Sequence, residues 1–245
     1  DSGGSQILLW MRSKNRIIVI GKPFLLLYNN SVGAGVVFQG KNMIQVIIVE
    51  DDRDFIYLIE TRLAGECDIQ VIGSYEKEIT GQLPEEFFKA DLVIMDLNLS
   101  GGREGKETGI RMAKKIRSQT DAKILILTGY EEPETILWAG RQTFASGYLL
   151  KKNYQGLSFM IRSILAGNAP EEIYICSALL RKLSHAERYV LMEYLGYEVK
   201  TNSSSKTKSN QMSSIVQKFG LNRPSDLYRI FKNYPDLSRL SDDLG

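Results

Sequence analysis

The 245 residues hold a single histidine, His185, and two cysteines, Cys67 and Cys176. Any zinc site or histidine triad would have to rest on that one imidazole, which reads as an ordinary side chain. The cysteines stand apart with no metal-ligand spacing and suit a reducing compartment where thiols stay free, as inert core residues. Long apolar runs are also missing. No segment reaches the ~18 uninterrupted apolar residues of a membrane span, so the expectation is a cytoplasmic protein neither spanning a membrane nor anchored to one in this way. No internal repeat is visible.

What is present is enough apolar material for packed cores, 43% of the chain, and a charge distribution that a net +2 conceals. Residues 1–42 carry +4, residues 43–169 carry −4 and residues 170–245 carry +2. The first segment opens with Arg12, Lys14 and Arg16 and continues into "IIVIGKPFLLLY", where Lys22 and Pro23 break a run that is faintly similar to a secretion signal. Its short apolar pieces could pair as a few strands. Residues 1–42 read as an appended or upstream-translated piece, with the working protein beginning near Met43.

From Met43 onward, "IQVIIV", "IQVIGS", "DLVIMD", "AKILILT" and "SGYLL" alternate with amphipathic segments, giving five βα units. "VIIV", "LVIM" and "ILIL" are continuously apolar, as strands are when a parallel sheet is covered on both faces. The fold class expected is α/β, a doubly wound five-stranded parallel sheet. In 107–119, Ile110, Ala113 and Ile116 share one helix face while Arg111, Lys114 and Lys115 form a solvated one. After "LAGNAPEE" strand signals stop and short helices follow, so a boundary near Ala169 separates 43–169 from a small all-α domain over 170–245.

In such a sheet, ligands bind beyond the carboxyl ends of the strands, where strand order reverses. The first strand there ends in "VIIVEDDRDF", with Glu50 and Asp51; the third ends in Asp96, the fourth in Thr128, and the fifth brings Tyr148 and Lys151. Three carboxylates at one edge repel one another, and a hard divalent cation such as Mg2+ is their natural occupant. A carboxylate beside Mg2+ can attack a phosphoryl group when metal and lysine offset the accumulating charge. Asp96 is then the nucleophile, Lys151 the fixed cation, and Thr128 a hydroxyl able to hydrogen-bond a phosphoryl oxygen only once it is present.

"VEDD", "VIMDLNL", "ILTG" and "GYLLKK", in this order, resemble the receiver domain of two-component response regulators, a flavodoxin-like fold, over about 43–166. The resemblance implies Glu50, Asp51 and Asp96 as metal ligands with the backbone carbonyl of Asn98, Asp96 as phosphoacceptor, and Thr128 with Tyr148 as a switch pair. It also implies a partner histidine kinase and a phosphorylation-dependent homodimer. Asp52 and Asp54 are assigned to the first turn of the next helix, where acids complement its dipole. Two departures stand out: Ser100 replaces the usual proline in a longer, glycine-rich loop "SGGREGKETG", and Lys152 follows Lys151.

The basic end, "LSHAERYVLMEYLGYE" and "KTKSNQMSSIVQKFGLNRPSDLYRIF", resembles the LuxR-type helix-turn-helix output domain. Leu183, Glu187, Val190 and Leu191 match its first helix, and the second stretch its recognition helix and last helix. Residues 200–232 hold seven basic side chains against one acid, Asp226, which suits a phosphate-rich partner such as DNA. Lys206, Lys208, Asn210, Gln211 and Lys218 are the candidate DNA contacts. Only ten residues, "YEVKTNSSSK", separate Gly196 from Thr207, where the family places a scaffold helix, and Lys208 stands at a position normally apolar.

Together these expectations describe a response regulator, not an enzyme with a substrate of its own, that accepts a phosphoryl group on Asp96 and controls transcription. Two alternatives stay open. A phosphorylation-independent receiver would serve as a protein-binding module. A haloacid-dehalogenase-like phosphohydrolase would share the nucleophilic Asp and Mg2+ but needs a second Asp two residues on, where Asn98 stands.

Overall fold

The computed structural model describes residues 43–99, 105–199, 203–232 and 234, together with the backbone of four strands between 12 and 37. Residues 1–43 and 44–245 form two compact units.

In the first unit, β1 (Arg12–Ser13), β2 (Arg16–Gly21), β3 (Phe24–Asn29) and β4 (Gly33–Val37) make an antiparallel sheet in sequential order. The short apolar pieces do pair, with Gly21 opposite Phe24 and Asn29 opposite Gly33. The residues joining them lie outside the described residues.

The second unit carries the parallel sheet β6-β5-β7-β8-β9, built from β5 (Ile44–Val49), β6 (Ile69–Tyr75), β7 (Leu92–Met95), β8 (Lys123–Thr128) and β9 (Gly147–Leu150). The continuous apolar runs resolve into two alternating sets. Ile47, Val49, Val93, Met95, Ile124 and Ile126 belong to one core, and Val46, Ile48, Leu92, Ile94, Leu125 and Leu127 to the other. Both faces are therefore dry, which is why no polar alternation is present.

Helix α1 (Arg53–Ala64) supplies Ile56, Ile59 and Leu63 to the second core, and α4 (Leu157–Leu165) adds Leu157, Ile161 and Ile164. Helix α2 (Gly105–Gln119) covers the first core with Met112, Ala113 and Ile116, flanked by α3 (Pro133–Thr143). Between β6 and β7 a full helix fails to form. Only a four-residue 3-10 turn, Glu85–Phe88, follows Gly81 and Pro84, because glycine and proline interrupt the segment before any helical run is long enough to persist.

Beyond Ala169 the chain is all helical: α5 (Pro170–Leu180), α6 (His185–Tyr194), α7 (Ser205–Lys218) and α8 (Pro224–Phe231). Among the described residues no helix stands between α6 and α7, in keeping with the short, serine-rich spacer. Leu179, Leu180, Leu191, Ile215, Phe219, Leu227 and Phe231 pack into a third core, which also takes Phe144 from the end of α3. Serine caps start two of these helices: Ser184 and Glu187 form a reciprocal capping box at α6, and Ser204 accepts from the Thr207 amide at α7.

Two sequence expectations need correction. Cys176 is buried, but Cys67 is exposed, because it lies in the turn leaving α1 rather than on an apolar face. The charged face of α2 is not simply solvated either. Arg117 is fully buried, donating to the Ala122 carbonyl at 3.3 Å and the Ile230 carbonyl at 3.2 Å, and Lys114 and Lys115 are part-buried. Helix α8 packs on this side of α2, a contact that the periodicity of one helix cannot foretell.

Candidate functional site

Strand β5 is flanked by β6 on one side and β7 on the other, so the chain reverses its winding direction between β5 and β7. The residues that leave the carboxyl ends of these two strands are Glu50 and Asp96. Each begins where ladder pairing stops, with the Glu50 amide held by the Tyr75 carbonyl and the Asp96 amide by the Val49 carbonyl, both at 2.9 Å. The sheet's own hydrogen bonds thus fix where the two carboxylates start.

Glu50 and Asp96 are 2% and 4% exposed, and Asp51 is half-buried. One oxygen from each of the three lies within 4.8 Å of the others. Lys151, at the end of β9, donates to Glu50 Oε1 at 2.8 Å and Asp96 Oδ2 at 2.9 Å, and its ammonium also lies 4.8 Å from the Phe55 ring centroid. One lysine therefore bridges two of the three acids.

Burial, and then the neighbouring Asp96 charge, push the Glu50 carboxyl up to about 7 against the opposing pull of Lys151. Burial acts to lower the Lys151 ammonium, but Asp96 and Glu50 outweigh it and hold it above its ordinary value. Both displacements express the same condition, excess negative charge in a desolvated place. Asp96 Oδ1, Asn98 Oδ1 and Thr128 Oγ1 are buried with no hydrogen-bond partner. Unpaired buried oxygens are costly, and three of them beside an acidic cluster suit a cation together with a further hydrogen-bonding group.

Asp52 and Asp54 have a separate duty. Asp52 caps α1, accepting from the Asp54 amide at 2.9 Å and the Phe55 amide at 3.2 Å, while Asp54 stands in the first turn. Tyr148 is half-buried against the first core, and its hydroxyl donates to the Tyr130 carbonyl at 2.9 Å. Burial and then Asp96 raise its phenol above the usual range. Ser100 and residues 101–104 of the glycine-rich loop lie outside the described residues.

Two contributors escaped the sequence reading. A Cβ at Gly109 would overlap the backbone carbonyls of Asp96 and Leu97, so only glycine lets α2 press against the strand end carrying Asp96. The TG pair within the loop's helical end was its sole trace in sequence. Phe55 supplies an aromatic face to Lys151 from α1, and nothing in an amphipathic helix pattern separates it from a core residue.

Residues 46–158 match the response regulator receiver domain family. This part of the chain is a response regulator receiver domain. A curated relative, the transcriptional regulatory protein DegU of Brevibacillus brevis, is 28% identical over 113 residues, which cover 46% of this chain and 45% of that protein. The chain thus spans about half the length of the relative it matches. Among solved structures, the RcsB response regulator of Salmonella typhimurium is 27% identical with a TM-score of 0.45, covering 78% of this chain and 99% of that one. An RcsB–DNA complex shows the same coverage at 24% identity and a TM-score of 0.45. Among the described residues no helix is long and apolar enough to cross a membrane.

At the other end, α7 carries all five candidate DNA contacts, but they are not alike. Lys206 and Asn210 are exposed. Lys208 is part-buried, its ammonium 2.6 Å from Glu193 of α6, and Lys218 pairs with Glu187 at the same distance. Ser214 also donates to Glu187, at 2.7 Å. Gln211 is part-buried and its Oε1 has no partner. Without an intervening scaffold helix, α7 packs directly on α6, and the position of Lys208 is met by an acid instead of an apolar neighbour.

Proposed function

We propose that the receiver accepts a phosphoryl group on Asp96 from a partner histidine kinase and passes the event to a transcriptional output formed by the helical end. The observation that carries this reading is the state of Asp96. One carboxylate oxygen is held by Lys151 while the other, buried beside Glu50 and Asp51, has no partner. An anchored carboxylate with one uncommitted oxygen is a nucleophile already oriented.

Glu50, Asp51, Asp96 and the Asn98 carbonyl are the residues that would hold Mg2+, whose hard charge suits an all-oxygen set and would offset the negative charge of the incoming group. Lys151 would remain as the fixed cation on the phosphorylated side chain. Thr128 Oγ1, now without a partner, is the donor available to a new oxygen, and a shift of Thr128 would change the room beside Tyr148. The hydroxyl of Tyr148 would then keep or lose its bond to the Tyr130 carbonyl. Asn98 in place of a second Asp favours this receiver chemistry over a phosphohydrolase that would use that position as general acid.

For the output, the exposed Lys206 and Asn210 on α7 are the best placed to meet DNA, with Lys208, Gln211 and Lys218 in support. A regulator of this kind would work in the cytoplasm and could pair as a phosphorylation-dependent homodimer. The division into 1–42, a receiver over 43–169 and an output over 170–245 belongs to the same proposal. The test is to incubate the full chain with Mg2+ and a small phosphodonor and weigh it intact. One added phosphoryl group, lost in Asp96→Asn or when Mg2+ is chelated, supports the reading; a chain that gains none, or an unchanged gain in Asp96→Asn, overturns it.

A further inference from the structure

Outside the pocket, the described residues hold a second concentration of charge, of opposite sign, where α2 and α3 meet the helical end. Lys114 of α2, Arg141 of α3 and Lys182, just after α5, are all part-buried. The Lys114 ammonium lies 5.9 Å from the Phe144 ring centroid and that of Lys182 lies 6.0 Å from the Phe219 centroid. The two rings meet edge to face at 6.1 Å. One aromatic pair therefore carries an amine on each ring.

The charges acting on these amines are cationic. Burial and then Lys182 hold Lys114 below its ordinary value, and burial and then Arg141 do the same to Lys182. No carboxylate among the described residues is ion-paired with either. Arg141 itself donates to the Leu137 carbonyl at 3.1 Å. Gly220, in the left-handed region at φ 59°, brings backbone close to the Lys114 amine, so that a Cβ there would sit 2.9 Å from it.

Lysine stems often lie along apolar surface, but their amines then turn out to water. Here the amines themselves are partly desolvated, each over one ring of the same aromatic pair, and cation–π contact offsets only part of that cost. Among the described residues, no anion is paired with this arrangement.

We propose that Lys114, Lys182 and Arg141 form a binding site for a phosphate-bearing ligand at the junction of the receiver and the helical end. A phosphate group carries more charge than a carboxylate and has enough acceptor oxygens for two ammonium groups and a guanidinium at once. Lys114 and Arg141 come from receiver helices and Lys182 from the helical end, so the ligand favours the packed arrangement of the two. The phosphate could belong to a small ester such as a nucleotide or to a nucleic-acid backbone. This inference does not depend on phosphorylation of Asp96.

The test uses the full chain in chelator, so that no divalent ion recruits phosphate to the acidic pocket. Thermal unfolding is followed against inorganic phosphate, pyrophosphate and ATP at constant ionic strength set with chloride, and binding of a short DNA duplex by fluorescence anisotropy. Lys114→Met and Lys182→Met keep the apolar stem and remove the charge, and Lys182→Gln serves if either variant folds poorly. The expected result is a rise in the wild-type midpoint with the small phosphates, with apparent affinity about tenfold weaker in each variant and the rise retained in Asp96→Asn. If the duplex alone responds, and more weakly in the variants, the ligand is a nucleic-acid backbone. No response to any of these probes, or equal responses in wild type and variants, overturns the site.

Discussion

The acidic pocket and helix α7 both announce themselves in sequence as runs of like charge, but folding treats them differently. In the pocket, two of three clustered carboxylates share one lysine, and buried oxygens of Asp96, Asn98 and Thr128 are left without partners. On α7, two of three lysines are neutralised by acids of the adjacent helix, Lys208 by Glu193 and Lys218 by Glu187. A surplus of charge points outward to a ligand only where the fold has not already balanced it. By that measure the pocket is a stronger claim than α7, and the amines of Lys114 and Lys182 belong with the pocket.

The comparison is broken most decisively at Asp96. Asp96→Asn should abolish phosphoryl uptake altogether, since an amide is no nucleophile, while circular dichroism stays that of the wild type. Uptake at the wild-type level would remove the pocket from consideration. Next in size, Lys151→Ala leaves Glu50 and Asp96 without their shared cation. Breaking a buried pair costs several kcal/mol, and with the lysine side chain 24% exposed a loss of about 2 kcal/mol is expected in chelator, largely restored by Mg2+. Denaturant midpoints with and without the metal measure it.

Glu187 sharpens the other half of the comparison. The carboxylate loses by burial but gains more from Lys218, the Ser184 amide and Ser214, which hold its carboxyl at about 2 against an ordinary 4.5. A depressed folded value contributes stability that is fully present above pH 4.5 and disappears as pH falls toward 2. Glu187→Gln should therefore be less stable than wild type by about 1–2 kcal/mol at neutral pH, with the difference shrinking through that window. A pH-independent difference would show that the charge of Glu187 is not what binds α6 to α7.

A smaller effect separates the lysines of α7 from one another. Lys206→Ala should lower the salt dependence of DNA binding by about one unit, and Lys218→Ala by less, because Glu187 already neutralises its amine. Equal slopes would mean that the Lys218–Glu187 pair opens on DNA. Asn210→Ala should cost about 1–3 kcal/mol at a selected site and nothing on random duplex. Smallest of all, removing residues 1–42 should leave phosphoryl uptake unchanged, as the intact-mass assay would report.

Much of the receiver was legible because its signals are local. Continuous apolar runs ending in Glu50, Asp96 and Thr128 identify strands buried on both faces and the edge where their polar ends gather. The helix missing between β6 and β7 was legible in principle, since Gly81 and Pro84 interrupt its segment. Gly109 and Phe55 were not, because their roles consist of proximity to Asp96 and Lys151, residues that pattern alone cannot bring near.

By itself, then, the sequence determined the strand order of polar ends, the acidic composition of the pocket and the helical character of the tail, all of which follow from periodicity and residue type along one segment. Only the tertiary structure decided which charges remain unbalanced. It placed α8 on α2 so that Arg117 is buried, set Glu187 and Glu193 against the lysines of α7, and left Lys114 and Lys182 on a pair of phenylalanine rings with no ion-paired acid among the described residues. The physical reason is that ionic compensation depends on distance through space, falling off within a few ångströms in water and persisting where burial lowers the dielectric, while sequence records only distance along the chain.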